Sequence, residues 1–378
     1  MSFVKTGAFR GLSSDSDDIK IDSSGNVAIV NGNIVNKNLL INGGMNIWQR
    51  STSQASITTT GYHTADRWRT SINAFGTWTQ SQSTDVPSGQ GFGYSLKIDC
   101  TTADASPAAN DYHSIGQRIE GQNIQHILYG TSNAKSLTFS CWVKSNKTGV
   151  YTVEFYKYGT STQRHIAKEI TINTSNTWEK KTVTISGDVT EGVNNDNAIS
   201  LEVQIWLGAG TTFTSGTFND SAWATVTNAN RISSNQVNLA DSTSNELYIT
   251  GWQLEVGENA SGFEFEPYET VYRKCLRYFE QNSLNMSGMW LGGTAELPYV
   301  TYDYPTPKRT TVTATYVSGG TARDRQTDLS ISGLYSGQPI FGQSVTSIGL
   351  VYSLSSGTGV IGEACVVRNV TMKLDAEL

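Results

Sequence analysis

Apolar and polar side chains alternate one for one through much of the chain's middle. Leu96, Ile98 and Cys100 share one phase, as do Leu137, Phe139, Cys141 and Val143, then Tyr151, Val153 and Phe155, then Val183 and Ile185, then Leu201, Val203, Ile205 and Leu207. Successive side chains of a strand point to opposite faces, so each stretch predicts a strand with one side on a core and the other outward. Many such strands separated by turns predict an antiparallel β-sandwich. The stretch 247–256 changes phase at Gly251, as a bulge would make it do.

Where the alternation breaks, other elements are expected. Asn38–Asn42 is a short apolar run that stops at Gly43-Gly44 and resumes at Trp48, which predicts a strand, a sharp bend and a second buried segment. Before it, Ile19–Ile21 and Val27–Val30 flank a Gly-containing turn and predict a small hairpin, too small to be stable alone. The acidic run Asp15–Asp18 has no calcium-ligand loop around it and reads as a solvated turn. Two long polar stretches, 188–198 and 213–237, exceed ordinary connections, which points to recognition or disorder. Pro267 followed by apolar positions at 268, 272, 275, 276 and 279 predicts a helix over 267–281. Strand patterns return at 299–304, 311–316, 329–334, 348–354 and 365–374. The expected organisation is an N-terminal stem over 1–36, a jelly-roll domain over 37–282 with its closing helix, and a smaller β domain, a second sandwich or assembly module, over 283–378: an all-β protein with one short helix.

Composition agrees with that class. Of 378 residues only 16% are charged, and 36 are glycine, which suits an extended β surface protein. A net charge of -6 without clustered Lys and Arg argues against nucleic acid. No apolar run approaches the ~20 residues of a membrane-spanning helix, so no membrane insertion is expected. Cys100, Cys141, Cys275 and Cys365 are too scattered for a metal motif. No metal or cofactor is expected, and cytosolic assembly would keep the thiols reduced.

The stretches Asn38-Leu-Leu-Ile-Asn-Gly-Gly-Met-Asn-Ile-Trp-Gln-Arg50, Ala65-Asp-Arg-Trp68 and Gly251-Trp-Gln-Leu-Glu-Val-Gly257 resemble those of the jelly-roll, carbohydrate-binding-module-like domain of tailed-phage tail fibre and virion proteins. The likeness covers roughly 37–282 and is most specific at its two ends. It implies a virion fibre or tail appendage, homotrimeric, assembled in the host cytoplasm, docked on other virion proteins through residues 1–36 and adsorbing to a host surface polysaccharide. Within it, Trp48, Asp66, Arg67, Trp68, Gln253 and Glu255 read as structural.

The outward phase carries an anomaly. Trp142, Trp206, Tyr156 and Tyr158 all fall on it, with Arg164, His165, Glu154 and Gln204 nearby. One reading is a glycan platform, where rings stack on sugar C–H faces and polar groups meet the hydroxyls. The other is a face covered by a loop or a neighbouring subunit, which fits a purely structural virion protein. Glycan cleavage would need paired carboxylates in a groove. Glu264, Glu266 and Glu269 lie at the sandwich-helix junction instead, and no nucleophile or phosphate motif is present, so no catalytic residue is expected.

Overall fold

The computed structural model describes residues 8–9, 19–21, 27–29, 37–291, 297–323, 328–334, 340–355 and 362–378. The expected hairpin is present as β2 (Ile19–Ile21) against β3 (Val27–Ile29), and β1 (Ala8–Phe9) pairs with the other side of β2. The acidic run Asp15–Asp18 lies outside the described residues.

Thirteen strands follow: β4 (Ser53–Ile57), β5 (Gly61–Tyr62), β6 (Arg69–Asn73), β7 (Thr77–Ser83), β8 (Ser95–Thr102), β9 (Tyr112–Glu120), β10 (Leu137–Ser145), β11 (Gly149–Tyr158), β12 (Gln163–Ile172), β13 (Glu179–Ile185), β14 (Ile199–Ala209), β15 (Ala224–Thr225) and β16 (Glu246–Val256). They form two antiparallel sheets, ordered β13-β10-β16-β8-β7-β4 and β15-β12-β11-β14-β9-β6-β5. From β7 onward the chain repeatedly crosses between the sheets, which makes the sandwich a jelly roll. The alternating apolar phases meet between the sheets: Ile98, Phe139, Cys141, Val153, Phe155, Val203 and Ile205 are all fully buried. Cys100 and Cys141 are separate reduced core residues on β8 and β10, with β16 between them. The expected bulge is there too, since Ser140 faces Gln253 while Trp142 faces Thr250, and Gly251 has φ +62°.

Asn38–Asn42 is not a strand. A turn built around one side chain takes its place: Asn42 accepts from the backbone of Asn46 and Ile47 and donates to the carbonyls of Ile47 and Asp66. The left-handed residues here are Asn42 and Met45, not the two glycines. Gly43 is needed for space, because a Cβ on it would lie 2.0 Å from the Trp252 carbonyl oxygen. This close approach lets Trp252 N–H bond to the Gly43 oxygen at 3.0 Å and, beside it, Leu39 N–H to Leu254 at 2.8 Å.

The motif residues tie this turn to the core. Trp68 packs edge-on against Trp252 at 4.6 Å and donates to the Asn42 oxygen. The Asp66 carboxylate accepts from Gln49 N–H, and Arg67 donates to the Arg118 carbonyl. Trp48 donates to the Met45 carbonyl. Gln253 bridges Glu255 and the backbone of Glu264.

The helix, α2 (Tyr268–Leu276), is nine residues long and ends five residues before the expected boundary; a one-turn helix, α1 (Thr211–Thr214), precedes it in the chain. Its buried side is Val271, Cys275 and Leu276, while Tyr268 is exposed. After Tyr278 the chain turns extended, because Phe279 and Glu280 pair with a late strand. By internal contacts the chain divides into Met1–Val271 with Leu378, and Tyr272–Glu377.

The second unit contains β17 (Phe279–Leu291), β18 (Leu297–Asp303), β19 (Thr313–Arg323), β20 (Asp328–Leu334), β21 (Ile340–Phe341), β22 (Ser347–Leu354) and β23 (Ala364–Asp375). All five expected strands are present, but they close a barrel instead of stacking as a sandwich. The order is β18-β17-β23-β19-β20-β22, and β22 returns to β18 with Val300 opposite Leu350. The sequence pattern does not predict the long β17, whose start at 279–281 falls inside the expected helix; it pairs with β18 and β23 and so joins them in the ring. Its interior is filled by residues such as Trp290, Val300, Leu350, Val367 and Met372.

Candidate functional site

The outer face of the seven-stranded sheet holds a recess of about 240 Å³. Its floor follows from strand phase. With Val153 and Phe155 inward, Glu154, Tyr156 and Tyr158 point out on β11; with Val203, Ile205 and Leu207 inward, Glu202, Gln204 and Trp206 point out on β14. Ser114 and Arg118 do so on β9, and Arg69 and Ser71 on β6. Register lines these up in rows: Tyr156, Glu202 and Arg118 in one; Glu154, Gln204, Gly116 and Arg69 in the next; Trp206, Ser114 and Ser71 in the third. Gly116 is the one floor position without a side chain, and a Cβ there would fall 2.4 Å from the Val203 oxygen.

The segment after β14 folds back over part of this face. Phe213, on α1, packs against Tyr112 at 5.2 Å and Trp206 at 5.8 Å, which leaves Trp206 only 2% exposed. Arg231 lies over the rings of Tyr156 and Trp206 at 4.8 and 5.0 Å. Its Nε and Nη2 meet the two oxygens of Glu154 at 2.8 and 2.9 Å. Glu154 also accepts from Gln204 Nε2 at 2.8 Å and Trp206 Nε1 at 3.0 Å, with His165 Nδ1 3.2 Å away. Burial on its own would raise this carboxyl; the Arg231 charge and the donors around it outweigh that and hold it at about 2.

The open part of the recess is different. Tyr156 and Tyr158 stand side by side with ring centres 5.0 Å apart. Glu202 lies between two guanidiniums, 3.1 Å from Arg118 Nε and 3.6 Å from Arg69 Nη1, and accepts from the Tyr158 hydroxyl. Burial and this carboxylate push the Tyr158 phenol up to about 12, so it remains a donor. The arrangement offers two partly exposed rings bordered by hydrogen-bonding and charged groups.

Of the residues expected to form a platform, Tyr156, Tyr158 and Trp206 come together here. Trp142 does not. It is on β10, in the other sheet, facing Thr250 and Lys180. Outward residues of two stacked sheets point away from each other across roughly 10 Å of core, so Trp142 and Trp206 cannot serve one ligand. Arg164 is also elsewhere. It sits two residues from the buried Ile166, hence on the inner side of β12, 2.9 Å from Asp188 and donating to the Trp223 carbonyl. Glu154 and His165 are on the right face but fully buried. Arg69, Arg118 and Glu202 went unread, although each lies on an outward phase; Phe213, Asn228 and Arg231 come from a loop whose path no periodicity reveals.

No protein-family model matches this chain, and no curated protein matches it. Among solved structures, similarity is found to the enzymatically active domain of tailspike protein 4 of bacteriophage CBA120, at 11% identity over 58% of this chain and 21% of that one, with TM-score 0.29. The chain thus spans about a fifth of that protein's length. TmCBM61, solved with β-1,4-galactotriose, is 12% identical over 58% of this chain and 99% of its own, TM-score 0.29. A sugar-binding protein assigned as such in Bacteroides thetaiotaomicron is 13% identical over 58% and 100%, TM-score 0.32.

Proposed function

We propose that the recess on the seven-stranded sheet binds a glycan, and that the chain does so as a fibre or tail appendage of a phage virion. The observation that carries the binding reading is the Tyr156–Tyr158 pair, partly exposed in the lining of a polar recess whose shape is fixed by Glu154 below and Arg231 above. Rings of this kind stack on sugar faces while Arg69, Ser71, Asn228 and Gln204 meet hydroxyls. Hydrolysis is not proposed. Glu154 is fully buried and held in its ionised form, so it is not poised to donate a proton to a leaving oxygen, and Glu202 is engaged by two arginines.

A glycan array probed with the full chain and with a Tyr156→Ala/Tyr158→Ala variant tests this. Binding by the wild type that the variant loses supports it; absence of binding by both overturns it. The virion setting is supported by the motifs of residues 38–50, 65–68 and 251–257, and adsorption would then draw on several weak sites acting together in a homotrimer. Sedimentation at three times the 41.1 kDa chain mass checks the trimer, and a monomer removes it.

A further inference from the structure

We infer that the ligand of this recess is an acidic glycan, recognised through an anionic substituent held by Arg69 and Arg118; this rests on the glycan reading above. The lining carries three guanidiniums, Arg69, Arg118 and Arg231, and the carboxylate of Glu202, with Glu154 fully buried beneath Arg231. Arg231 and Glu154 satisfy each other, so that pair is internally neutral. Glu202 is then shared by two cations, and both keep donors in reserve.

Arg69 uses only Nη1, on Ser71 and Glu202, and its Nε and Nη2 have no partner among the described residues. Arg118 uses Nε on Glu202 and Nη1 on the main-chain oxygen of Leu378, which groups with this unit, and its Nη2 has none. Their side chains are only 15% and 16% exposed. Half-buried guanidiniums with unused planar donors match a carboxylate or a sulfate, and low-dielectric walls strengthen such bonds. An anionic substituent would give each guanidinium a charged acceptor for its unused donors, where a neutral sugar offers only hydroxyls. Trp206, the largest ring on this face, is covered by the chain itself, so stacking here is left to the two tyrosines.

The test is affinity electrophoresis and calorimetry of the full chain with polygalacturonate, alginate and chondroitin sulfate, each against its carboxyl-reduced form, and the last also against its desulfated form. The expected result is binding to at least one polymer that falls about tenfold or more on removal of one anionic group, and equally in Arg69→Gln and Arg118→Gln, with Arg69→Lys retaining part of it. Loss on carboxyl reduction assigns a uronate; loss on desulfation assigns a sulfate. Thermal melts of the variants confirm that they are folded, and salt should weaken wild-type binding more than that of Arg69→Gln. Equal binding to the charged and neutral forms, abolished by Tyr156→Ala/Tyr158→Ala, would overturn the inference and leave the glycan reading standing. Binding to none of these polymers or their neutral forms overturns the inference, while the glycan array decides the broader reading separately.

Discussion

Arg231 grips both oxygens of Glu154 from above, reaching down from a loop to a carboxylate that no solvent touches. This relationship seats the 211–232 segment on the sheet and sets the depth of the recess. Glu154→Gln keeps the shape and leaves Arg231 without its counter-charge, and is expected to cost about 3 kcal/mol in urea unfolding at pH 7. The carboxyl's folded value, about 2, is below its ordinary one, so its stabilisation is complete above about pH 4.5 and fades as pH falls toward 2. The gap between wild type and variant should close over that window.

Gly43 and Gly44 look alike in the sequence and should behave differently. Gly43→Ala drives a methyl into the Trp252 carbonyl and is expected to destabilise by about 3 kcal/mol, with loss of the Leu39 and Trp252 tethers. At Gly44 the nearest atom to a new Cβ is the flexible Asn46 amide at 3.3 Å, and Gly44→Ala should cost under about 1 kcal/mol. Thermal melts of the two variants check the contrast.

How much could be read from residues alone follows the same division. Period-two alternation assigned β8, β10, β11, β14 and β16 and the side on which Tyr156 and Trp206 lie, because burial of one face leaves a direct imprint on the order of residues. Sheet membership leaves no such imprint: Trp142 and Trp206 have the same outward phase, and only long-range pairing sends them to opposite sides of the molecule. Arg164 could have been placed from its spacing to Ile166, Ile170 and Ile172. Leu284, Met286 and Trp290 signalled β17, but the upstream Leu276 and Phe279 suit helical spacing as well as a strand start. Arg231 comes from a loop, and nothing near it in the chain announces its partner.

His113 gives a second pH signature. It is buried against Trp78 with ring centres 4.6 Å apart, and neither ring nitrogen has a hydrogen-bond partner among the described residues. Burial, with a smaller push from His63, lowers its value to about 3. The neutral ring's contribution is therefore full above about pH 6.5 and is lost as pH falls toward 3, by up to about 1.4 kcal/mol per pH unit. His113→Leu should lack this component, so its stability relative to wild type should rise between pH 6.5 and 4 in denaturant titrations.

In the barrel, Lys308 donates to Glu280 at 2.7 Å with both side chains fully buried, and also to the Leu276 carbonyl. Glu280 accepts from Asn282 and Tyr302 as well. Lys308→Met strands that carboxylate and should cost about 3–5 kcal/mol, whereas Lys308→Met/Glu280→Gln should recover much of the loss. Denaturant unfolding of both variants reads the difference.

The meeting of β22 with β18 has a mechanical consequence for the C-terminal unit. Apart from the two-residue β21, this ring of strands has among the described residues no first or last member from which to peel, so melting is expected in a single step. Severing any one seam would lay bare two raw margins at once, and such a molecule would zip onto others like it.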